Sequence, residues 1–237
     1  MVFRHIERAF SAYRKNWVPV LGSVLIFVAA AVFLGAAFLL MLVSGAAAAS
    51  SGFPIFFLLF FIGIAGAVLL FVALDGSLYG VYYRCLRGRA RIEDYLETFS
   101  KRAPSIIGAN LISAGLLLPL AILGLVSALL GLSSLLMLTI VLLLGFSVFF
   151  LFVNQAVVIH NKKALEAVET SVRFAWKNFP GTAALFLIFF LFSLVLGYLS
   201  LVYRQVLLGE LLLWLFVSPL FRISLTDFYV KRSRGRI

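Results

Sequence analysis

Four stretches of the chain contain no Asp, Glu, Lys or Arg: Asn16 to Leu74, Ala103 to Asn161, Asn178 to Tyr203 and, more briefly, Leu211 to Phe221. None of them alternates apolar and polar residues as a half-buried strand does. A helix crosses the hydrocarbon of a bilayer with roughly 20 apolar residues, so the first two stretches are long enough for two spans each. Gly, Ser and Pro gather where they divide, in "SGAAAASSGFP" (44–54) and "LLGLSSLL" (129–136). Backbone groups in lipid must be satisfied within the segment. The pattern therefore predicts six transmembrane helices, near 17–43, 53–83, 105–130, 132–158, 180–203 and 208–229. Residues 44–52, 131–134 and 204–210 become the outer turns. Pro119 and Pro219 fall inside spans and predict kinks. "GSLYG" (76–80) is a G-x-x-x-G that lets another helix approach closely.

A different period precedes alternate spans. Phe3, Ile6, Phe10, Tyr13 and Trp17 recur at spacings of three and four, as do Ile92, Tyr95, Leu96 and Phe99, and then Leu165, Val168, Val172, Trp176 and Phe179. Charged residues fill the opposite faces, which predicts three amphipathic helices lying in the membrane interface. "IE" at 6 and 92 matches "LE" at 165; Pro19, Pro104 and Pro180 open the next spans; "KNW" from Lys15 matches "KNF" from Lys177. The expected fold is an all-α integral membrane protein with one transmembrane domain over 1–237. Its three hairpins, each preceded by an interfacial helix, form a pseudo-threefold parallel repeat with units of about 1–83, 84–160 and 161–237.

Composition agrees: 64% hydrophobic residues, 12% charged and a mean hydropathy of +1.14 exclude a soluble domain. The formal net charge of +11 adds orientation. Nearly all the Lys and Arg lie before the first span, between the second and third, between the fourth and fifth, and at the end, whereas the outer turns hold only Arg204. This predicts a multi-pass cell-membrane protein with both termini cytoplasmic. The first span exceeds the apolar core of a secretory leader and is expected to be a permanent helix. Arg84, Arg87, Lys162, Lys163, Lys231 and Arg232 are the expected contacts to anionic headgroups on the cytoplasmic face. Basic residues shared among every inner loop leave no separate nucleic-acid site. The expected partners are membrane lipids, and the chain is compatible with a homo-oligomer.

Two longer passages carry a family likeness: "ALEAVETSVRFAWKNFPGTAALFLI" (164–188), and "GVYYRCLRGRARIEDYLETF" (80–99) after the second span. They resemble prokaryotic six-helix proteins similar to the membrane domain attached to some bacterial glycerophosphodiester phosphodiesterases. The resemblance implies a lipid-associated or transport role. It implies no catalytic residues, because the hydrolase domain of those fusions has no counterpart here.

Candidate chemistry is sparse. His5 and His160 stand alone at membrane boundaries, Cys85 is the one cysteine, and no nucleophile elbow or phosphate loop occurs. The expectation is a protein that is not an enzyme and has no metal or cofactor. Within the spans, Asp75, Asn154 and Arg222 lie nine, eight and nine residues before the first basic residue after their helices, Arg84, Lys162 and Lys231. At 1.5 Å per residue that is about 12 to 14 Å from the inner boundary, one on each even-numbered span. A lone charge at such depth costs about 2.5 to 3.5 kcal/mol, so Asp75 and Arg222 are expected to pair. They form either a clamp between helices or the polar floor of a cavity with Asn154 and Gln155, where Arg222 meets a lipid phosphate. Two functions remain open: a carrier, channel or lipid-binding protein with this polar site, or a scaffold docking a partner through its basic interfacial helices.

Overall fold

The computed structural model of the protein describes residues 2–26, 28, 32, 35, 53–88, 90–203 and 206–233, with the backbone alone at 53–62, 207 and 208. Most of the first expected span beyond residue 26, the turn at 44–52, Arg89, Arg204, Arg234 and Arg236 lie outside the described residues. Every regular element among the described residues is helical. The order is α1 (Val2–Lys15), α2 (18–26), α3 (Phe53–Cys85), α4 (Ile92–Leu129), α5 (Ser133–Ser147), a 3-10 turn (Val148–Phe150) and α6 (Val153–His160). Then follow α7 (Ala164–Lys177), α8 (Phe179–Val202), α9 (Val206–Leu212), a π-helical turn (Leu213–Val217) and α10 (Ser218–Ser233). Five segments are long and apolar enough to cross a membrane: Gly63–Cys85, Ile92–Leu129, Ser133–His160, Phe179–Val202 and Gly209–Ser233. The chain is a multi-pass membrane protein.

Local chemistry sets several helix ends. Asp94 accepts the backbone N–H of Arg91 at 2.8 Å and so caps the start of α4, where Glu93 and Asp94 also suit the positive end of the helix dipole. Gly131, at φ +68, makes the turn between α4 and α5. Asn161, at φ 56, ends α6 in the left-handed conformation that asparagine tolerates better than most residues. Pro180 opens α8, where its missing N–H loses no bond.

One expectation is corrected, and two of the expected spans are irregular within. Residues 92–99 are not a separate interfacial helix but the first turns of α4, which runs unbroken for 38 residues through Pro104 and Pro119. Such a helix is about 57 Å long against an apolar slab of about 30 Å, so its ends must project. Its first turns are held against α3, where a Cβ on Gly80 would overlap the side chain of Thr98. The expected fourth span is divided into α5, the 3-10 turn and α6. Ser171 on α7 explains how this is tolerated: its Oγ donates to the Phe149 carbonyl at 2.7 Å and accepts the Phe152 N–H at 3.1 Å. The expected sixth span is divided by the π turn, and its first residues lie within α9, which also covers much of the turn expected at 204–210. Pro219 has no N–H to give Leu215 four residues earlier. The Tyr13 hydroxyl donates to that carbonyl instead. Burial pushes the Tyr13 phenol up to about 12.

The spans are unequally covered. In their most apolar stretches α3 and the α9–α10 segment are each 39% buried, against 11% for α4 and α8. The thinly covered helices turn Leu116, Leu125, Leu191 and Val195 outward, as faces toward lipid would. Helix α10 is shared by two cores. One stacks Phe152 on Tyr229 at 5.6 Å and includes Leu185; the other joins Tyr79, Tyr82 and Ile223.

Candidate intramembrane site

The close approach expected at "GSLYG" assembles the site. Gly76 lies so near Ile106 of α4 that a Cβ there would stand 2.3 Å from Ile106 Cγ2, and 3.3 Å from the Asn154 carboxamide oxygen. Asp75, one residue before, reaches α10, where Arg222 donates from Nη1 to its carboxylate. The two side chains are 20% and 19% exposed, so neither charge is in open solvent. The guanidinium also lies 5.8 Å from the centre of the Tyr79 ring. Joined to opposite charge, each partner avoids most of the penalty of an isolated ion in lipid.

Asn154 is near this pair but is bonded elsewhere. Its Oδ1 accepts from Asn110 Nδ2 at 2.8 Å, and Asn110 donates also to the Ile106 carbonyl. Asn110 was missed from the sequence, although an amide inside an apolar span is a signal of the same kind as Asn154. Gln155, next along α6, is fully buried, and neither of its amide atoms has a partner among the described residues.

Beside the pair lies a cavity of about 510 Å³ between α8 and the α9–π–α10 segment. Phe186, Phe190, Trp214 and Phe221 form its walls, and Arg222 and Glu210 contribute its charges. Twelve residues separate those two, roughly 18 Å along a helix, so they mark different ends. The π turn supplies Leu213, Trp214 and Val217 to one wall, and π turns recur at functional sites.

The expected headgroup contacts fall into three places. Arg84 faces Asp94 and Glu97 at 3.5 and 3.6 Å, and Arg87 donates to the Tyr83 hydroxyl at the end of α3. Lys162 approaches Glu166 at 3.7 Å, and the exposed Lys163 precedes α7. Lys231 pairs with Asp227 at 2.7 Å, while Arg232 lies over the Phe228 ring. One polar contact had no forerunner in the sequence reading: His5 Nδ1 donates to Asp227 at 2.6 Å and fastens α1 to α10. Among the described residues no three His, Cys, Asp or Glu side chains converge as a metal would require.

No curated protein and no solved structure matches the chain. A family model described as a domain of unknown function (DUF7847) matches residues 102–231, just over half of the chain. The matched segment contains Asn110, Asn154 and Arg222 and leaves out Asp75. The chain therefore belongs to the DUF7847 family.

Proposed function

We propose that the protein is a non-enzymatic, lipid-handling membrane protein that takes an anionic amphiphile into the groove between α8 and α10, with the charged end of the ligand at Arg222. The observation that carries this reading is the cavity in which Arg222 shares a wall with Phe186, Phe190, Trp214 and Phe221. Its 510 Å³ falls in the range of about 300 to 1,000 Å³ typical of ligand pockets, which are mostly apolar with a few placed polar groups. Asp75 holds the guanidinium in position, and the five-donor fork of an arginine is wider than the one bond to Asp75 uses.

An aqueous ion path is less well supported. Ser77, Ser113, Ser127, Thr139 and Ser193 each donate to a carbonyl of their own helix, so their hydroxyls are already engaged. The reading includes six spans in three hairpins with a parallel repeat, in the cell membrane with cytoplasmic termini. In that setting α1 and α7 lie at the interface, and their exposed Phe3, Phe10 and Trp176, with Trp17 just after α1, reach the acyl boundary. The lipid-associated role implied by the family resemblance agrees.

Photolabelling tests it. Protein in liposomes containing a phosphatidic acid with a diazirine on its acyl chain should acquire adducts concentrated at 186–193 and 213–222, and Arg222→Leu should remove that concentration. Adducts spread equally over the outward Leu116, Leu125 and Val195 would overturn the reading and favour a scaffold.

A further inference from the structure

We infer that a second ligand site, for a compact multivalent anion of the phosphate class, lies between α7, the α6–α7 turn and the end of α10. A cavity of about 640 Å³ there gathers Lys162, Arg173, Lys177, Lys231 and Arg232, with His160 beside them. No Asp or Glu is among its described lining residues.

The chain folds to produce this convergence. Left-handed Asn161 turns the backbone from α6 back into α7 and brings Lys162 over that helix. Thr170, Arg173 and Lys177 are spaced by three and four, so they share one face of α7. Helix α10 ends opposite, with Lys231 and Arg232 in its last turn. A bias of Lys and Arg toward one side of a membrane accounts for their number. It does not account for five of them, drawn from three parts of the chain, lining one cavity with no Asp or Glu among its described residues.

Carboxylates do touch several of these cations, but from outside the cavity. Glu166 pairs with Lys162, Glu169 with Arg173 and Asp227 with Lys231, each four residues away in sequence. The pairs at Lys162 and Arg173 are exposed and weak, so they orient those cations and yield to a dianion, whereas the buried Asp227 holds Lys231 more firmly. A second basic cleft, bounded by Arg8, Lys15, Arg87 and Lys231, has Asp227 in its wall and is the poorer anion site. In the α7 cavity, Arg173 and Arg232 carry the forked donors that match phosphate oxygens, and the lysines add point charge. The ligand is the phosphomonoester headgroup of a lipid or a free polyphosphate, and the site is independent of the groove at Arg222.

The test uses the full chain with two probes. Inorganic pyrophosphate is titrated calorimetrically against protein in neutral detergent, and phosphatidic acid is compared with phosphatidylcholine for retention by protein in nanodiscs. Arg173→Gln with Lys177→Gln should weaken binding of the responding probe by about tenfold or more, since bonds to charged groups are strong. Arg4→Gln with Arg14→Gln removes the same charge from exposed positions on α1 and should change it by less than about twofold. Should the first variant misfold, Arg173→Lys with Lys177→Arg keeps the charge and should retain binding. A response to phosphatidic acid alone identifies a lipid headgroup, to pyrophosphate alone a soluble ligand. No saturable binding of either probe, or equal loss in both charge-matched variants, would overturn the site. Photolabelling of the groove should be unchanged in the Arg173→Gln, Lys177→Gln variant, which separates failure here from failure of the groove reading.

Discussion

Helix α10 makes two side-chain contacts to distant parts of the chain, an ion pair and a hydrogen bond, about 7.5 Å apart along its axis. Arg222 joins Asp75 on α3, 147 residues away; Asp227 joins His5 on α1, 222 residues away, and also Lys231. Their surroundings differ. The first links the two best-covered spans, and both of its charges lie within apolar helices. The second attaches α1, whose 14 residues are too few to count among the segments long enough to cross a membrane, and the Lys231 side chain is 36% exposed. Similar chemistry therefore does different work: the inner pair fixes how spans pack, and the outer cluster docks a surface element onto a bundle that already stands.

The inner pair should give the largest effect. Asp75→Asn or Arg222→Leu alone strands the opposite charge, and breaking a buried pair from one side costs about 3 kcal/mol or more. The double substitution should recover part of that loss, with a coupling of about 0.5 to 3 kcal/mol in detergent denaturation. Strictly additive losses would show that the pair contributes nothing as a pair. Asp227→Asn should cost less, about 1 to 3 kcal/mol, because Lys231 can turn to solvent while His5 exchanges a carboxylate for the weaker carboxamide oxygen as acceptor. Its expected mode is local: trypsin should cut at Arg8 and Arg14 well before the bundle unfolds. Unfolding as extensive as that from Arg222→Leu would erase the distinction between the two clusters.

The two clusters were also unequally legible. Asp75 and Arg222 stand out because each interrupts an apolar stretch, and counting residues to the next basic one placed them at matched depth. Asp227 lies in a tail already rich in charge, and nothing near His5 in sequence points to a partner 222 residues away. Helical spans, the Gly131 turn and the Gly76–Gly80 contact could be read locally because length, glycine and apolar periodicity are local properties. The irregular turns could not. The 3-10 turn depends on Ser171 of α7 and the π turn on Tyr13 of α1, so each is a tertiary arrangement. The merging of 92–99 into α4 likewise depends on Thr98 fitting over Gly80.

That dependence sharpens the role of α1. Tyr13→Phe keeps the ring beside Phe216 and removes only the donor to Leu215, so it should cost about 1 kcal/mol. Pro219→Ala restores a backbone N–H at the position that can serve the same carbonyl. In that background the Tyr13→Phe loss should shrink toward zero, measured by thermal unfolding in detergent. An undiminished loss would mean that Tyr13 acts through packing rather than by completing the proline gap.

Gln155 should give the smallest effect, and its sign is informative. A buried amide without partners lowers stability, whereas an apolar side chain of similar size at the same position does not incur that desolvation penalty. Gln155 is fully buried beside Asn154, and neither amide atom is bonded among the described residues. Gln155→Leu should therefore leave the unfolding temperature unchanged or raise it, by an amount equivalent to about 1 kcal/mol at most. The result also bears on the inner pair, because both would belong to one polar level within the bundle. Destabilisation on Gln155→Leu, together with weaker photolabelling of the groove, would mean that the amide is normally bonded to water or ligand and that the polar level extends from Arg222 to α6. A gain in stability with labelling intact would confine the working site to Arg222 and Asp75.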